Sequence, residues 1–294
     1  MTRFAYLAAI ISLLAISLQA QPYELRYSLT EGKQYRFKQI EETTALAQSS
    51  DGRGTQIERE TTRYFTIAIE KSGIEGVQYV FVQDTAIVGE SADDASTQRQ
   101  YLDFQNIITR RPIRVRQTPS GKILSTVPLE PLNVEAILGP GASDAMFTKI
   151  AALLPALPTN AIEPGMGWTE TKRDTLFPSK EMPRLGRGSG ERFLAHTTEY
   201  NVGSVEDLDG YRCLKISWRG HASMEERIIY AALEEFTEDH TVTSGDLSIA
   251  IESGLPVKLD VYTDQENTRA LFGEQNNVIP SSIRTHMTLE LFSQ

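Results

Sequence analysis

Cysteine is nearly absent from this 294-residue sequence. A single Cys213 excludes an intramolecular disulfide framework and any multi-thiolate metal site. Histidine is scarce too: His196, His221, His240 and His286 are the only four, and no two fall within one helical turn. Cations are outnumbered, with 29 Lys and Arg against 39 Asp and Glu, which argues against a phosphate-reading surface. Tryptophan is limited to Trp168 and Trp218, too few for the aromatic platforms that usually dress a glycoside-cleaving site. With 40% hydrophobic and 23% charged residues, the chain is neither collagen-like, coiled-coil nor wholly disordered.

The first twenty residues read as an address. Arg3 is their only charge, and the apolar run from Phe4 to Leu18 ends at Gln19-Ala20 before Gln21-Pro22. A short basic start, an apolar stretch and a small residue at the cut make a secretory signal peptide over 1–20. The run is shorter than the ~20 residues that span a bilayer, and no cysteine near the cut offers a lipoprotein anchor. The expected product is exported to the periplasm or beyond. It is a single β-rich domain over 21–294, with no transmembrane segment after cleavage.

From Tyr23 onward the dominant signal is period-two alternation of apolar and polar residues, rich in β-branched and aromatic side chains, as in half-buried strands. Tyr23–Leu29 and Gln34–Ile40 show it first. Thr61–Ile69 and Val77–Val82, joined by Lys71–Gly76, read as a hairpin. Ile113–Thr118 and Ile123–Val127 flank the turn Pro119-Ser-Gly-Lys122. Phe193–Val202 and Tyr211–Trp218 flank Asp207-Leu-Asp-Gly210. Gly245–Ile251 and Val257–Tyr262 flank Glu252–Pro256, and Ile283–Phe292 closes the chain. The spacing predicts about ten strands, with Ser49–Gly54 and Ser91–Ser96 as polar connections. No strand-helix-strand alternation recurs, so a doubly wound parallel sheet is disfavoured.

Two stretches depart from that pattern. Ser143–Leu154 carries an N-cap serine, Asp144 in the first turn, and Met146, Ile150 and Leu153/Leu154 at helical spacing beside Phe147 and Ala151. Pro155 and Pro158 end it. Apolar residues cover more than half of this helix, so it is expected to lie against the inner face of a sheet. Residues 156–191, with Pro158, Pro164, Pro178, Pro183 and Gly186-Arg-Gly-Ser-Gly190, read as an irregular insertion within one continuous sheet.

Catalytic and metal motifs lack their parts. Ser189 sits one residue out of place for a nucleophile elbow, and Gly186–Gly190 has no following Lys-Ser/Thr for a phosphate loop. His221 with Glu225, and Glu238-Asp239-His240, are solvated clusters without convergent ligands. Asp207–Gly210 lacks the later acids of a calcium loop and reads as a hairpin turn. Cys213 alternates within a strand as a small apolar residue. Arg110-Arg-Pro-Ile-Arg-Val-Arg116 reads as a charged strand face rather than a nucleic-acid site. No enzyme, cofactor or metal is expected.

The order of elements carries a resemblance. A long N-terminal antiparallel run precedes a greasy helix, then Gly165-Met-Gly-Trp168, the hairpin at Asp209-Gly210 leading into Tyr211–Ile216, and Gly245–Tyr262 built about Ser253-Gly-Leu-Pro256. This resembles a family of exported bacterial proteins of unknown function related to the lipoprotein-carrier (LolA/LolB-like) superfamily. The resemblance implies a mainly β fold, a curved antiparallel half-barrel with one helix buried on its concave side, able to hold an acyl chain or other apolar ligand. The expected function is therefore an exported binding protein for a lipid, lipoprotein or other apolar ligand in the cell envelope. Met146, Phe147, Ile150, Leu154, Trp168 and Trp218 would line its cavity, unless they simply fill the core. The alternative is a non-catalytic structural or interaction protein of the envelope, with an envelope protein as partner.

Overall fold

A computed structural model describes residues 22–48, 54–89, 95–131, 154–176, 189–229, 234–273 and 276–292. Eleven strands and one helix account for most of them. They are β1 (Gln34–Gln48), β2 (Gly54–Gly73), β3 (Gly76–Val88), α1 (Ala95–Ile108), β4 (Ile113–Gln117), β5 (Ile123–Pro128), β6 (Gly167–Leu176), β7 (Ser189–Leu208), β8 (Tyr211–Ile229), β9 (Glu234–Ala250), β10 (Pro256–Phe272) and β11 (Asn277–Phe292). All eleven strands form one sheet in the order β5-β4-β3-β2-β1-β11-β10-β9-β8-β7-β6. Neighbours are antiparallel throughout, and β1 zips to β11 with Phe37 opposite Leu291. The sheet is curved and leaves β5 and β6 as free edges.

Alternation explains why it curves around a core. On β1, Tyr35 and Phe37 are buried while Arg36 is exposed, and the register carries that phase across every strand. Phe37 stacks on Phe65 at 5.4 Å, and Phe65 meets Phe81 at 5.5 Å. Ile67, Ile113, Val115, Leu214, Ile216, Leu247, Ile249 and Leu289 extend this layer. The outward positions are charged and cross-paired: Arg114 grips Glu70 through two bonds of 2.8 and 3.0 Å, Lys215 meets Asp246 at 3.4 Å and Arg284 meets Asp264 at 3.3 Å. The outer face thus carries paired charges, and the basic run around Arg114 is part of it.

The expected hairpins form. Asp209 and Gly210 both take positive φ (51° and 81°), the mirror-image turn whose twist suits a two-residue link between β7 and β8. The strands are much longer than expected, because their polar halves pair in register with equally long antiparallel neighbours. β2 begins at Gly54, β9 at Glu234 and β11 at Asn277. Within the stretch expected to be irregular, Gly167–Leu176 pairs with β7 as edge strand β6.

One expectation needs correction, and a second lies almost wholly outside the described residues. Tyr23–Leu29 keeps the alternation, with Leu25, Tyr27 and Leu29 buried, but it forms no strand. Its backbone groups are satisfied piecemeal: Tyr23 N–H donates to Ile162 O, Tyr27 N–H to Pro119 O and Ser28 N–H to Ser253 O. The segment is a strap across several turns, and no single partner strand satisfies it.

The second concerns the helix. Met146, Phe147 and Ile150 lie outside the described residues, and so does the rest of the helix expected over Ser143–Leu154 except Leu154. The helix that is described is α1, over a stretch not expected to be helical. It packs on the concave side of β2 and β3. Tyr101 OH bonds the inward Thr61 hydroxyl (3.0 Å) and accepts from Arg63 (2.6 Å), while Gln83 Nε2 donates to Gln105 Oε1 (3.1 Å). Tyr101, Phe104, Gln105 and Ile108 share helical spacing, and that is the signal that could have found it.

Candidate functional site

The concave wall of β6–β11 is layered, because register puts side chains of like level side by side. The lowest layer is apolar: Val202, Ile216, Leu247, Leu259 and Leu289 follow one another from β7 to β11. One level up run Trp168, Tyr200, Trp218, Gly245, Val261 and Met287. The next holds Glu170, Thr198, Gly220, Thr243, Thr263 and Thr285. The wall therefore passes from aliphatic to aromatic to hydroxyl-bearing within four residues of each strand.

The aromatic level is a built feature. Trp168 stacks on Tyr200 with centroids 4.6 Å apart and planes 9° off parallel. Trp218, across from Tyr200 on β8, lies over Gly245. A Cβ at Gly245 would stand 2.5 Å from Trp218 Cζ2 and 2.5 Å from the Asp260 carbonyl oxygen. Only a residue without a side chain lets the indole lie flat there. Trp168 Nε1 donates to Glu170 Oε1 at 3.3 Å. Burial, and then the neighbouring Glu170, raise the Tyr200 phenol above its ordinary value, so that it stays neutral.

Facing these rings is the segment Pro155–Pro158. It is anchored by Tyr27 OH donating to Pro155 O (2.7 Å) and Leu157 N–H donating to Ser120 O (2.8 Å). Between rings and segment lies a hollow of ≈ 240 Å³, floored by Ile216, Leu247 and Leu259, with Glu170 at its rim. That is a little below the ~300–1,000 Å³ of drug-sized sites. It suits part of an apolar chain or a small ring.

Of the residues expected to line a cavity, Trp168 and Trp218 meet at this hollow, both half-buried. Leu154 is buried in the core and does not line it. Tyr200, Leu157 and Pro158 were not singled out from the sequence. Tyr200 could have been, since it shares the alternation phase of Val202 within the Phe193–Val202 run. Pro155–Pro158 could not, because its place depends on the distant Tyr27 and Ser120.

Elsewhere the chemistry is quiet. Cys213 is fully buried, and burial together with Glu206, Asp207 and Asp209 pushes its thiol up to about 11, which removes it as a nucleophile at neutral pH. Among the described residues no three His, Cys, Asp or Glu converge to hold a metal ion. His240 engages Glu238 (2.9 Å), and His286 engages Asp260 (3.0 Å) under a stacked Tyr262 ring. Both pairs lie on the outer face.

No family model and no curated protein matches the chain. Among solved structures, Neisserial surface protein A is 7% identical with a TM-score of 0.20, the match covering 87% of this chain and 97% of that one. The hypothetical lipoprotein YmcC from Escherichia coli is 11% identical with a TM-score of 0.21, covering 94% and 95%. Pseudomonas aeruginosa OpdQ is 6% identical with a TM-score of 0.29, covering 89% and 100%. Similarity at this level carries nothing about what this chain does.

Proposed function

We propose that this is an exported binding protein of the cell envelope that takes an apolar ligand, a lipid or the acyl part of a lipoprotein, into the hollow between Trp168, Tyr200, Trp218 and Pro155–Pro158. The observation that carries the reading is the hollow itself. Three aromatic rings face an opposed segment across a cleft of ≈ 240 Å³ with an aliphatic floor, the concave and mostly apolar form that small-ligand sites take. Gly245 is the residue that keeps one of those rings flat. The signal-peptide pattern of 1–20 supports export. The charged convex face supports work in water, since a strand that spans a bilayer turns apolar residues outward. The resemblance to the lipoprotein-carrier superfamily points to the same class of ligand.

Native mass spectrometry of the protein released from its own envelope, before and after delipidation, tests this. The expected result is an added mass that delipidation removes, together with a lowered melting temperature. A bare polypeptide mass with melting insensitive to delipidation would leave the envelope-interaction alternative standing in its place.

A further inference from the structure

The hollow between the rings and Pro155–Pro158 has one charged residue on its lining, and that residue is an acid. Glu170 is the next inward residue after Trp168 on β6 and stands opposite Thr198 on β7. Its Oε1 accepts the Trp168 indole N–H at 3.3 Å, and its Oε2 has no partner among the described residues. The carboxylate is close enough to the Tyr200 phenol to add to the effect of burial in keeping it neutral. Glu170 therefore sits beside two aromatic rings, whose faces are themselves negative.

No cation lines the hollow with it. Lys172, the next inward residue of β6, borders a separate hollow of ≈ 370 Å³ together with Asp174 and Asp239. Farther up the wall Arg192 and Glu226 cancel each other at 2.6 Å, and Arg269 holds Glu235 at 2.6 Å. On these strands Glu170, Asp174 and Asp239 thus stand against Lys172 alone, so the field over the rim favours a positive group.

The apolar floor and the acid lie at opposite ends of the hollow. Ile216, Leu247 and Leu259 form the lowest level, and Glu170 stands two levels higher, about 13 Å along an extended strand. Trp168, Tyr200 and Trp218 occupy the level between. A molecule that spans this distance meets hydrocarbon, then aromatic rings, then a carboxylate. A cation gains from the rings and from Glu170 together, and gains most where water is excluded. An anion is opposed by both.

Resting on the function proposed above, we infer that the ligand is an amphiphile with a cationic head. Its apolar part lies on Ile216, Leu247 and Leu259, and its ammonium group is held at Trp168 and Tyr200 with Glu170 as counter-charge. A bare alkylammonium and a trimethylammonium head offer the same positive charge to this site.

Trp168 and Trp218 are the only tryptophans and both border the hollow, so intrinsic fluorescence reports its occupancy. The full chain is titrated at neutral pH with octylamine, octyltrimethylammonium, octanol and octanoate, each below the concentration at which it forms micelles. Both ammonium ligands are expected to bind about tenfold more tightly than octanol, and octanoate most weakly. Glu170→Gln, whose amide oxygen still accepts from the indole, is expected to bring the ratio of ammonium to octanol affinity down to about one. Lys172→Gln is expected to keep the preference for ammonium. Should Glu170→Gln fold poorly by circular dichroism, the ranking of the ligands in the native protein decides alone.

Octanol or octanoate binding as tightly as the ammonium ligands, or a preference that survives Glu170→Gln, overturns the cationic head. The apolar-ligand reading survives each of those results. Absence of any saturable response to all of the ligands overturns both. The tighter of octylamine and octyltrimethylammonium tells a bare head from a methylated one, and either order supports the inference.

Discussion

Gly245 offers the sharpest perturbation. An alanine methyl placed there would meet the Asp260 carbonyl oxygen at 2.5 Å and the Trp218 ring at 2.5 and 2.6 Å, all well inside van der Waals contact. The carbonyl belongs to the β9–β10 ladder and cannot swing away, so the indole must lift and the strand must shift. Overpacking of this kind costs about 1–3 kcal/mol. For a chain of this size each kcal/mol moves the melting temperature by about 2–4 °C. Gly245→Ala is therefore expected to unfold several degrees below the native protein and to shift tryptophan emission to the red as Trp218 gains water.

Gly73→Ala is the control, since nothing lies within 4 Å of the Cβ it would add, and it should stay within about 0.5 kcal/mol, the usual bound for a surface change away from special features. Urea melts followed by fluorescence and by circular dichroism measure both. If Gly245→Ala matches the control in stability and emission, then the ring does not depend on that glycine, and the account of the aromatic level is wrong.

Further outcomes follow from other parts of the core. Gln117 is 1% exposed, and neither its amide oxygen nor its nitrogen bonds to a group of the described residues. Gln117→Met should stabilise by about 1–2 kcal/mol, because it removes an unrepaid desolvation cost; a loss of stability in denaturant melts would refute this. Tyr101→Phe removes bonds to Thr61 and Arg63 that hold α1 on the sheet. It should cost about 1–3 kcal/mol and speed amide exchange in α1 more than in β8. The Cys213 thiol, raised from 9.0 to about 11 mainly by burial, stays protonated in the fold at pH values where the unfolded chain has lost that proton. Its contribution to stability is therefore full below pH 9 and falls as pH rises from 9 toward 11. A Cys213→Ala variant should show less of that alkaline loss. In the native protein at pH 8 the thiol should resist maleimide until urea is added.

Alternation alone located the hairpins built on Lys71–Gly76, Pro119–Lys122, Asp207–Gly210 and Glu252–Pro256, because a strand with one buried face must write period two into its residues. The mainly β, one-sheet architecture follows from that pattern together with the absence of repeated strand-helix alternation. Cys213 reads as a core residue because an unactivated cysteine behaves as a small apolar side chain. Alternation groups it with Tyr211 and Lys215, whereas the structure buries it beside Leu214. The residue counts left only two tryptophans to consider as ligand contacts.

What tertiary structure decided is whatever depends on partners far away in the chain. Leu25, Tyr27 and Leu29 alternate as well as any strand, yet they became a strap, because the nearest carbonyls belong to turns at Pro119 and Ser253. Helix α1 is weakly apolar, and its polar Tyr101 and Gln105 find their partners only on the concave wall. The polar halves of β2, β9 and β11 extend well beyond their apolar runs, since a long antiparallel neighbour satisfies backbone groups whatever the side chains are. Trp168 and Trp218 lie fifty residues apart in sequence and became one surface only through β7, where Tyr200 stands between them, and through Gly245 on β9. A residue pattern can say which face of a strand is wet or dry; which strands share that face is settled by pairing register over the whole sheet.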